Sequence, residues 1–431
     1  MYKMRRLTLI FAMLIAATTT YAQSFDTHFE DATLRLDLTF AGSATEQIVA
    51  LKSLSSTEHW WGRRINLDTV PLHGNGDITL YDAATGEKIY VTSFSSLFQE
   101  WITTPEAATS YRSFEFTLLT PMPRSEAIAE VVLRNNRGEV AARLKHTIRP
   151  DDVLIRDLSK QEALPHTYLH RGGDSHDCID VVILAEGYTA DEMELFMKDA
   201  QIATDEILSY EPFNSHRDKF NFIAVESASK DSNVSVPQDM AWRETAVMSN
   251  FMTFYMERYL TSDAVYNMYD LATNIPCEHF IILANTDTYG GGGIYNSYTL
   301  TTAHHPAFRP VVVHEFGHSF GGLGDEYFYE NSDSNDEMHS IAHEPWEPNI
   351  TTLVDFESKW ADMVDKGVEI PTTVTESRSE NYVVGVYEGA GYRTKGIYRP
   401  TDVCRMRNNT ATRFCPVCER ALERVILHQA E

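Results

Sequence analysis

Two histidines and a glutamate in one short apolar segment have the spacing of a metal site. His314, Glu315 and His318 lie in the segment 311–320 (VVVHEFGHSF). Side chains four positions apart share one face of an α-helix, so both imidazoles can bind one zinc ion at about 2.0 to 2.1 Å. Glu315 lies beside them, where it can act as general base on a zinc-bound water. The segment therefore predicts a buried helix that carries a hydrolytic zinc centre.

The chain after His318 offers candidates for a third ligand. A hydrolytic zinc site has three protein ligands and one open position. Gly321 or Gly322 can turn the chain out of the helix, because glycine adopts positive φ without a steric penalty. Such a turn brings Asp325 or Glu326 to the metal. We favour Asp325 as the third ligand and keep Glu326 as the alternative.

The metal segment belongs to a region with an α/β pattern. Continuous apolar runs at 179–184, 220–225 and 280–284 predict buried strands, and Thr189 with Glu192 forms a capping box that opens a helix to about residue 209. Strand and helix alternation of this kind predicts a mostly parallel sheet covered by helices. We assign residues 165–431 to this catalytic domain, after a connector at about 151–173.

The preceding region has a different pattern. Apolar and polar residues alternate between residue 32 and about residue 150, and turn sequences separate the runs. Six or seven such runs predict an antiparallel β-sandwich at 23–150; those identified are 34–40, 78–80, 89–94, 114–118, 128–133 and 140–148. Because no group of potential ligands has metal spacing here, this domain is interpreted as a positioning or binding module.

The N-terminus predicts export. Lys3, Arg5 and Arg6 precede an apolar run at 7–17, and small residues follow up to Ala22. These are the parts of a secretory signal peptide, and the run is too short for the roughly 20 residues that span a bilayer. We expect cleavage near Ala22 and an exported protein, in the periplasm, at the cell surface or outside the cell.

The amino-acid composition excludes some classes of binding partner. Lys and Arg number 36 against 62 Asp and Glu, a net charge of −26, which argues against nucleic acid and anionic lipid. The zinc motif, and not the composition, indicates a protein or peptide substrate, and the oligomeric state stays open. The five cysteines exclude a disulfide-dense scaffold. Cys404 is expected to bridge Cys415 or Cys418, with structural zinc as the alternative, and the acidic run 331–337 is either a solvated loop or a calcium site.

Three segments resemble a known family. They are 179–193 (IDVVILAEGYTADEM), 314–327 (HEFGHSFGGLGDEY) and 387–409 (YEGAGYRTKGIYRPTDVCRMRNN). They are similar to the metzincin-like zinc peptidases named for IgA-specific metallo-endopeptidases. The resemblance implies a zinc endopeptidase with a preceding β-sandwich. Metzincins usually place the third ligand ten positions after the first histidine, which is Gly324 here, whereas Asp325 is at eleven.

The resemblance also implies two supporting features. Met406 would form the methionine turn beneath the metal, and segment 290–300 would supply an edge strand to which an extended substrate adds by backbone hydrogen bonds. Tyr392 or Tyr398 could stabilise an oxyanion. The alternative function is a surface module that binds glycan or protein and carries an inactive zincin domain. An intact Glu315 argues against it, because a site without catalysis has no need of a base there.

Overall fold

A computed structural model describes residues 25–329, 338–374 and 382–430. The predicted signal peptide at 1–22 and the acidic run at 331–337 lie outside the described residues. Among the helices within these ranges, none combines the length and apolarity needed to cross a bilayer.

The N-terminal region is rich in β-structure and forms two four-stranded sheets. The elements are α1 (Phe25–His28), β1 (Phe29–Gly42), β2 (Gln47–Thr57), β3 (Gly76–Asp82), β4 (Lys88–Phe94), α2 (Leu97–Trp101), β5 (Arg112–Pro123), β6 (Ala127–Arg134), β7 (Val140–Ile148) and β8 (Ile155–Asp157). The strand orders of the two sheets are β5-β1-β2-β8 and β4-β3-β6-β7.

The two sheets share one core. Phe40 of β1 contacts Phe116 of its own sheet and Phe94 of the other sheet, with ring centroids 4.9 and 5.9 Å away. The alternation that predicted β1 and β3–β7 thus places apolar side chains between two sheets.

The strand β2 was not predicted, because Lys52 and several serines interrupt its apolar pattern. The strand β8 falls in the expected connector and pairs with β2 in parallel, so this sheet is not purely antiparallel.

The C-terminal region contains a six-stranded sheet with helices. The elements are β9 (His166–Arg171), β10 (Ile179–Glu186), α3 (Met193–Ile207), β11 (Phe220–Val225), α4 (Val265–Leu271), β12 (His279–Ala284), β13 (Gly291–Ile294), β14 (Tyr298–Thr302), α5 (Phe308–Gly321), β15 (Tyr387–Ala390), β16 (Arg393–Arg399) and α6 (Pro416–Ala430). Short 3₁₀ helices are at Pro105–Ala108, Ala190–Glu192, Arg217–Lys219, Pro237–Asp239, Thr253–Tyr255, Phe356–Ser358 and Ala361–Met363.

The predicted parallel strands form the centre of this sheet. Its order is β13-β14-β12-β10-β11-β9, with parallel pairing from β14 to β11 and antiparallel strands at both edges. Every residue of β10, β11 and β12 is buried, which explains their continuous apolar runs. The capping box of Thr189 and Glu192 is present at the start of the following helical segment. The prediction of a multidomain chain with a C-terminal α/β region is confirmed.

The two regions are in direct contact. Arg35 of β1 donates to Asp270 of α4 over 2.6 Å. Ser95 and Tyr295 exchange two hydrogen bonds of 2.9 and 3.0 Å, immediately after β4 and β13. One hydrophobic cluster also runs through both regions. The N-terminal sheets are therefore fixed against the C-terminal sheet, beside its β13 edge.

Candidate metal centre

Helix α5 carries the predicted metal-binding residues and is buried on most sides. It packs against β13, β14, α3 and α6. Phe316 and Phe320 lie in the core of the C-terminal region, and burial of each contributes about 1.5 to 3 kcal/mol. Gly317 allows a close approach, since a Cβ there would lie 2.8 Å from Met406 Sδ. The sulfur of Met406, the residue predicted for the methionine turn, thus lies directly against the helix that bears both histidines.

The helix ends where the sequence predicts a turn. Gly322 adopts φ +60, and its N–H donates to His318 O over 2.9 Å. The next residues are held by Asn349, whose side chain exchanges hydrogen bonds of 2.7 and 2.9 Å with the backbone of Gly324. Gly391, in the turn of the β15–β16 hairpin, donates to Asp325 O over 2.8 Å. These contacts fold the loop back under α5.

Three side chains meet at the end of this loop. His314 Nε2 lies 3.1 Å from His318 Nε2, and Asp325 Oδ1 lies 3.1 and 3.3 Å from these two nitrogens. Ligand atoms about 2.0 to 2.1 Å from a tetrahedral zinc ion would be separated by about 3.3 Å. The three atoms thus form a triangle of the size that one zinc ion requires.

Both imidazoles are oriented by backbone carbonyls. His314 Nδ1 donates to Arg405 O over 3.1 Å, and His318 Nδ1 donates to Leu323 O. An imidazole whose Nδ1 holds the proton presents the lone pair of its Nε2, which is the form that binds metal. The side chains are only 12% and 15% exposed. The backbone therefore fixes the tautomer and direction of both rings.

The charges at this triangle favour a cation. Burial alone would lower the pKa of His318, but the nearby carboxylates of Asp325 and Glu315 outweigh it and raise that pKa to about 9. The imidazoles in turn hold the pKa of Asp325 well below its usual range despite burial. Apart from the two imidazoles, Asp325 Oδ1 has no hydrogen-bond partner, while Tyr392 donates to Oδ2. A divalent cation would supply both the missing partner and the positive charge, so the residues fit a metal.

Glu326, the alternative third ligand, faces away from the histidines. Its Oε1 accepts from Asn349 Nδ2 over 2.9 Å and lies 3.1 Å from Cys418 Sγ. Successive residues of an extended segment project to opposite sides. The structure thus brings Asp325, and not Glu326, to His314 and His318.

Comparison with known protein families finds matches in both regions of the chain. Residues 167–383 and 374–426 match the family described as IgA Peptidase M64, and residues 24–145 match the Peptidase M64 N-terminus. The chain belongs to the M64 peptidase family. This confirms the resemblance seen in the sequence and makes the protein a metallopeptidase, a hydrolase of protein or peptide substrates that requires a metal. A search among curated proteins found no match.

In this M64 peptidase, Glu315 lies beside the triangle in a large cleft. Ligand atoms of His314, Glu315 and His318 are all within 4.8 Å of one another. The cleft has a volume of about 740 Å³ and is lined by both regions of the chain. Burial raises the pKa of Glu315, and His314 and His318 oppose that shift. Glu315 is therefore a carboxylate within reach of a metal and of a bound substrate.

The predicted edge strand is present as β13, but its outer edge is partly covered. Gly291 forms a parallel bridge with Tyr259, and Tyr295, just after the strand, pairs with Ser95. Gly293 lies between these two pairings. A Cβ on Gly293 would lie 2.3 Å from Glu315 O, so only glycine lets β13 approach α5 this closely. The edge strand that the resemblance implied is thus available for backbone pairing only around Gly293.

Several residues of the site carried no signal in the sequence. Glu100 of α2 lines the cleft from the N-terminal region, and Tyr259 donates to its carboxylate. Burial raises the pKa of Glu100 to about 7. The ring of Tyr327 stacks near His314, and Arg258 lies over Tyr327 at 5.8 Å. Glu100, Tyr259 and Arg258 lie in no recognisable motif, so only the tertiary structure identifies them. Tyr327 ends one of the segments that resemble the family, but the sequence indicated no role for it.

The two tyrosines considered for an oxyanion lie in different places. Tyr392 lines the cleft and contacts Asp325. Tyr398 exchanges backbone hydrogen bonds of 2.8 and 3.0 Å with Thr351 in a neighbouring segment. Of the two, Tyr392 is therefore the one that the structure brings to the candidate metal centre.

Proposed function

We propose that this M64 peptidase is a secreted zinc endopeptidase with a metzincin-like catalytic domain. His314, His318 and Asp325 would hold one zinc ion, with Met406 as the methionine turn beneath them. The observation that carries the proposal is the triangle of Nε2, Nε2 and Oδ1 atoms with edges of 3.1 to 3.3 Å. The division into a β-sandwich at 23–150 and a catalytic domain at 165–431 is part of this proposal.

The chemistry assigns one role to each residue. A bound zinc ion supplies a Lewis acid for the scissile carbonyl and lowers the pKa of water. Glu315 takes a proton from the attacking water at its carboxylate and passes it to the leaving amine. The carbonyls of Arg405 and Leu323 keep Nε2 of each histidine free for the metal.

The substrate is proposed to lie in the cleft, in an extended form, across Gly293. The pairings of Gly291 with Tyr259 and of Tyr295 with Ser95 limit backbone pairing to the short stretch between them. Side chains from both regions would therefore contribute more to substrate selection than a long β-ladder. The volume of about 740 Å³ suits several residues of a peptide.

Removal of the metal tests the proposed function directly. Dialysis of the purified protein against a chelator is expected to abolish cleavage of an unbiased peptide library, because no other described group supplies the Lewis acid. Added zinc should restore cleavage, whereas calcium or magnesium should not, since the donor set is two imidazoles and one carboxylate. Cleavage that survives complete removal of the metal would refute the proposal.

Export is a separate part of the proposal and has its own test. The basic residues and the apolar run at 7–17 support recognition as a signal peptide. We expect N-terminal sequencing of protein from the native host to begin at Gln23, with the protein in the exported fraction. Recovery of full-length protein from the cytoplasm would contradict this part and leave the metal chemistry unaffected.

A further inference from the structure

A second group of potential metal ligands lies apart from the cleft. Glu326, Cys404, Cys415 and Cys418 are all buried, and their ligand atoms lie within 4.8 Å of one another. Cys404 Sγ is 3.8 Å from Cys418 Sγ. Glu326 Oε1 is 3.1 Å from Cys418 Sγ and 3.9 Å from Cys415 Sγ. Three thiols and one carboxylate therefore surround a single point.

These distances match a tetrahedral zinc site. With zinc–sulfur bonds of about 2.3 Å, two sulfurs are separated by about 3.8 Å. With a zinc–oxygen bond of about 2.0 Å, an oxygen and a sulfur are separated by about 3.5 Å. The sulfur–sulfur distance between Cys404 and Cys418 equals the first value, and the two distances from Glu326 Oε1 lie on either side of the second.

The carboxylate of Glu326 argues for an ion at this point. The side chain is fully buried, and its Oε2 has no hydrogen-bond partner. A buried polar atom without a partner costs free energy, and a buried charge costs more unless it is paired or binds a metal. A disulfide between two of the cysteines would supply no counter-charge to this buried carboxylate. A zinc ion bound through Oε1 would supply one.

Neighbouring groups already orient the four ligands. The backbone N–H groups of Cys415 and Met406 donate to Cys404 Sγ over 3.2 and 3.5 Å, and that of Cys418 donates to Cys415 Sγ over 3.5 Å. Such hydrogen bonds favour the thiolate that zinc requires. Asn349 Nδ2 donates to Oε1 of the carboxylate over 2.9 Å. The site thus has both its ligands and the contacts that hold them.

We propose that Glu326, Cys404, Cys415 and Cys418 bind a second, structural zinc ion. Four protein ligands leave no open position, so this ion has no catalytic role of its own. It joins the loop that contains Asp325 to the start of α6. Because Asp325 and Glu326 are consecutive and face opposite ways, each would bind one of two ions.

Metal stoichiometry tests this site without any measurement of activity. In the double variant His314→Ala/His318→Ala, produced in zinc-containing medium, elemental analysis and native mass spectrometry should find about one zinc ion per chain, against about two in the parent. X-ray absorption on the double variant should show zinc–sulfur distances of about 2.3 Å. A double variant without zinc, or with iron in its place, would overturn the proposal.

A thiol count separates the metal site from a disulfide. The parent protein, unfolded in chelator without reductant, should react with a thiol reagent at all five cysteines. A bridge between two of them would leave three. When added to the variant His314→Ala/His318→Ala, Cys404→Ser should remove the remaining zinc. Cys277→Ser should keep it, because Cys277 is a buried thiol outside the cluster. If Cys404→Ser does not fold, the thiol count and the zinc stoichiometry of the parent protein still distinguish a zinc site from a disulfide.

Discussion

Replacement of Glu315 by glutamine is expected to lower kcat/KM for peptide hydrolysis by about 10²- to 10⁴-fold, the range typical of the loss of a general base. The amide has nearly the same shape but cannot accept the proton of the attacking water. Zinc content should not change, because Glu315 contributes none of the three proposed ligand atoms, which belong to His314, His318 and Asp325. The measurements are steady-state kinetics on a cleaved peptide and zinc analysis of the same sample.

A matched substitution controls for the loss of a negative charge from the cleft. Glu347 also lines the cleft, and its nearest ion-pair partner is His339, 3.9 Å away. We expect Glu347→Gln to change kcat/KM far less than Glu315→Gln does. Equal activity of Glu315→Gln and the parent, with zinc bound in both, would rule out Glu315 as the base.

The histidines and the base could be predicted because their relation is local. Positions 314, 315 and 318 are fixed against each other by one turn of helix, whatever the rest of the chain does. The left-handed turn at Gly322 is also local, since glycine after a helix favours it. The buried strands β10 to β12 follow from their continuous apolar runs for a similar reason.

Other features depend on contacts that no local pattern records. Asp325 and Glu326 follow the same turn, and the sequence cannot show which of them faces the histidines. In the structure, Asn349 and the cysteines of a segment about 80 residues later hold Glu326 on the opposite side. Glu100 comes from the N-terminal region, more than 200 residues before His314, and reaches the cleft only because the two regions pack together.

The second large effect is expected for Asp325→Asn. The neutral amide should bind zinc much more weakly than the carboxylate, and the affinity of the site with His314 and His318 should fall by more than the roughly 10- to 100-fold that loss of a supporting contact costs. Peptide hydrolysis should be lost in parallel and recover partly with excess zinc. Competition with a chelator of known affinity measures the zinc, and kinetics at several zinc concentrations measure the recovery.

Substitutions at two neighbouring residues provide reference values for this loss of zinc affinity. Tyr392→Phe removes the hydrogen bond to Asp325 Oδ2 and keeps the ring, so its loss of zinc affinity should stay near about 10- to 100-fold. Glu326→Gln should leave histidine-bound zinc in place, because Glu326 faces the cysteines. If Glu326→Gln instead removes the zinc bound by His314 and His318 while Asp325→Asn retains it, the assignment of the third ligand is wrong. The order Asp325→Asn, Tyr392→Phe, Glu326→Gln, from largest to smallest loss at this site, follows from the distance of each change to the triangle.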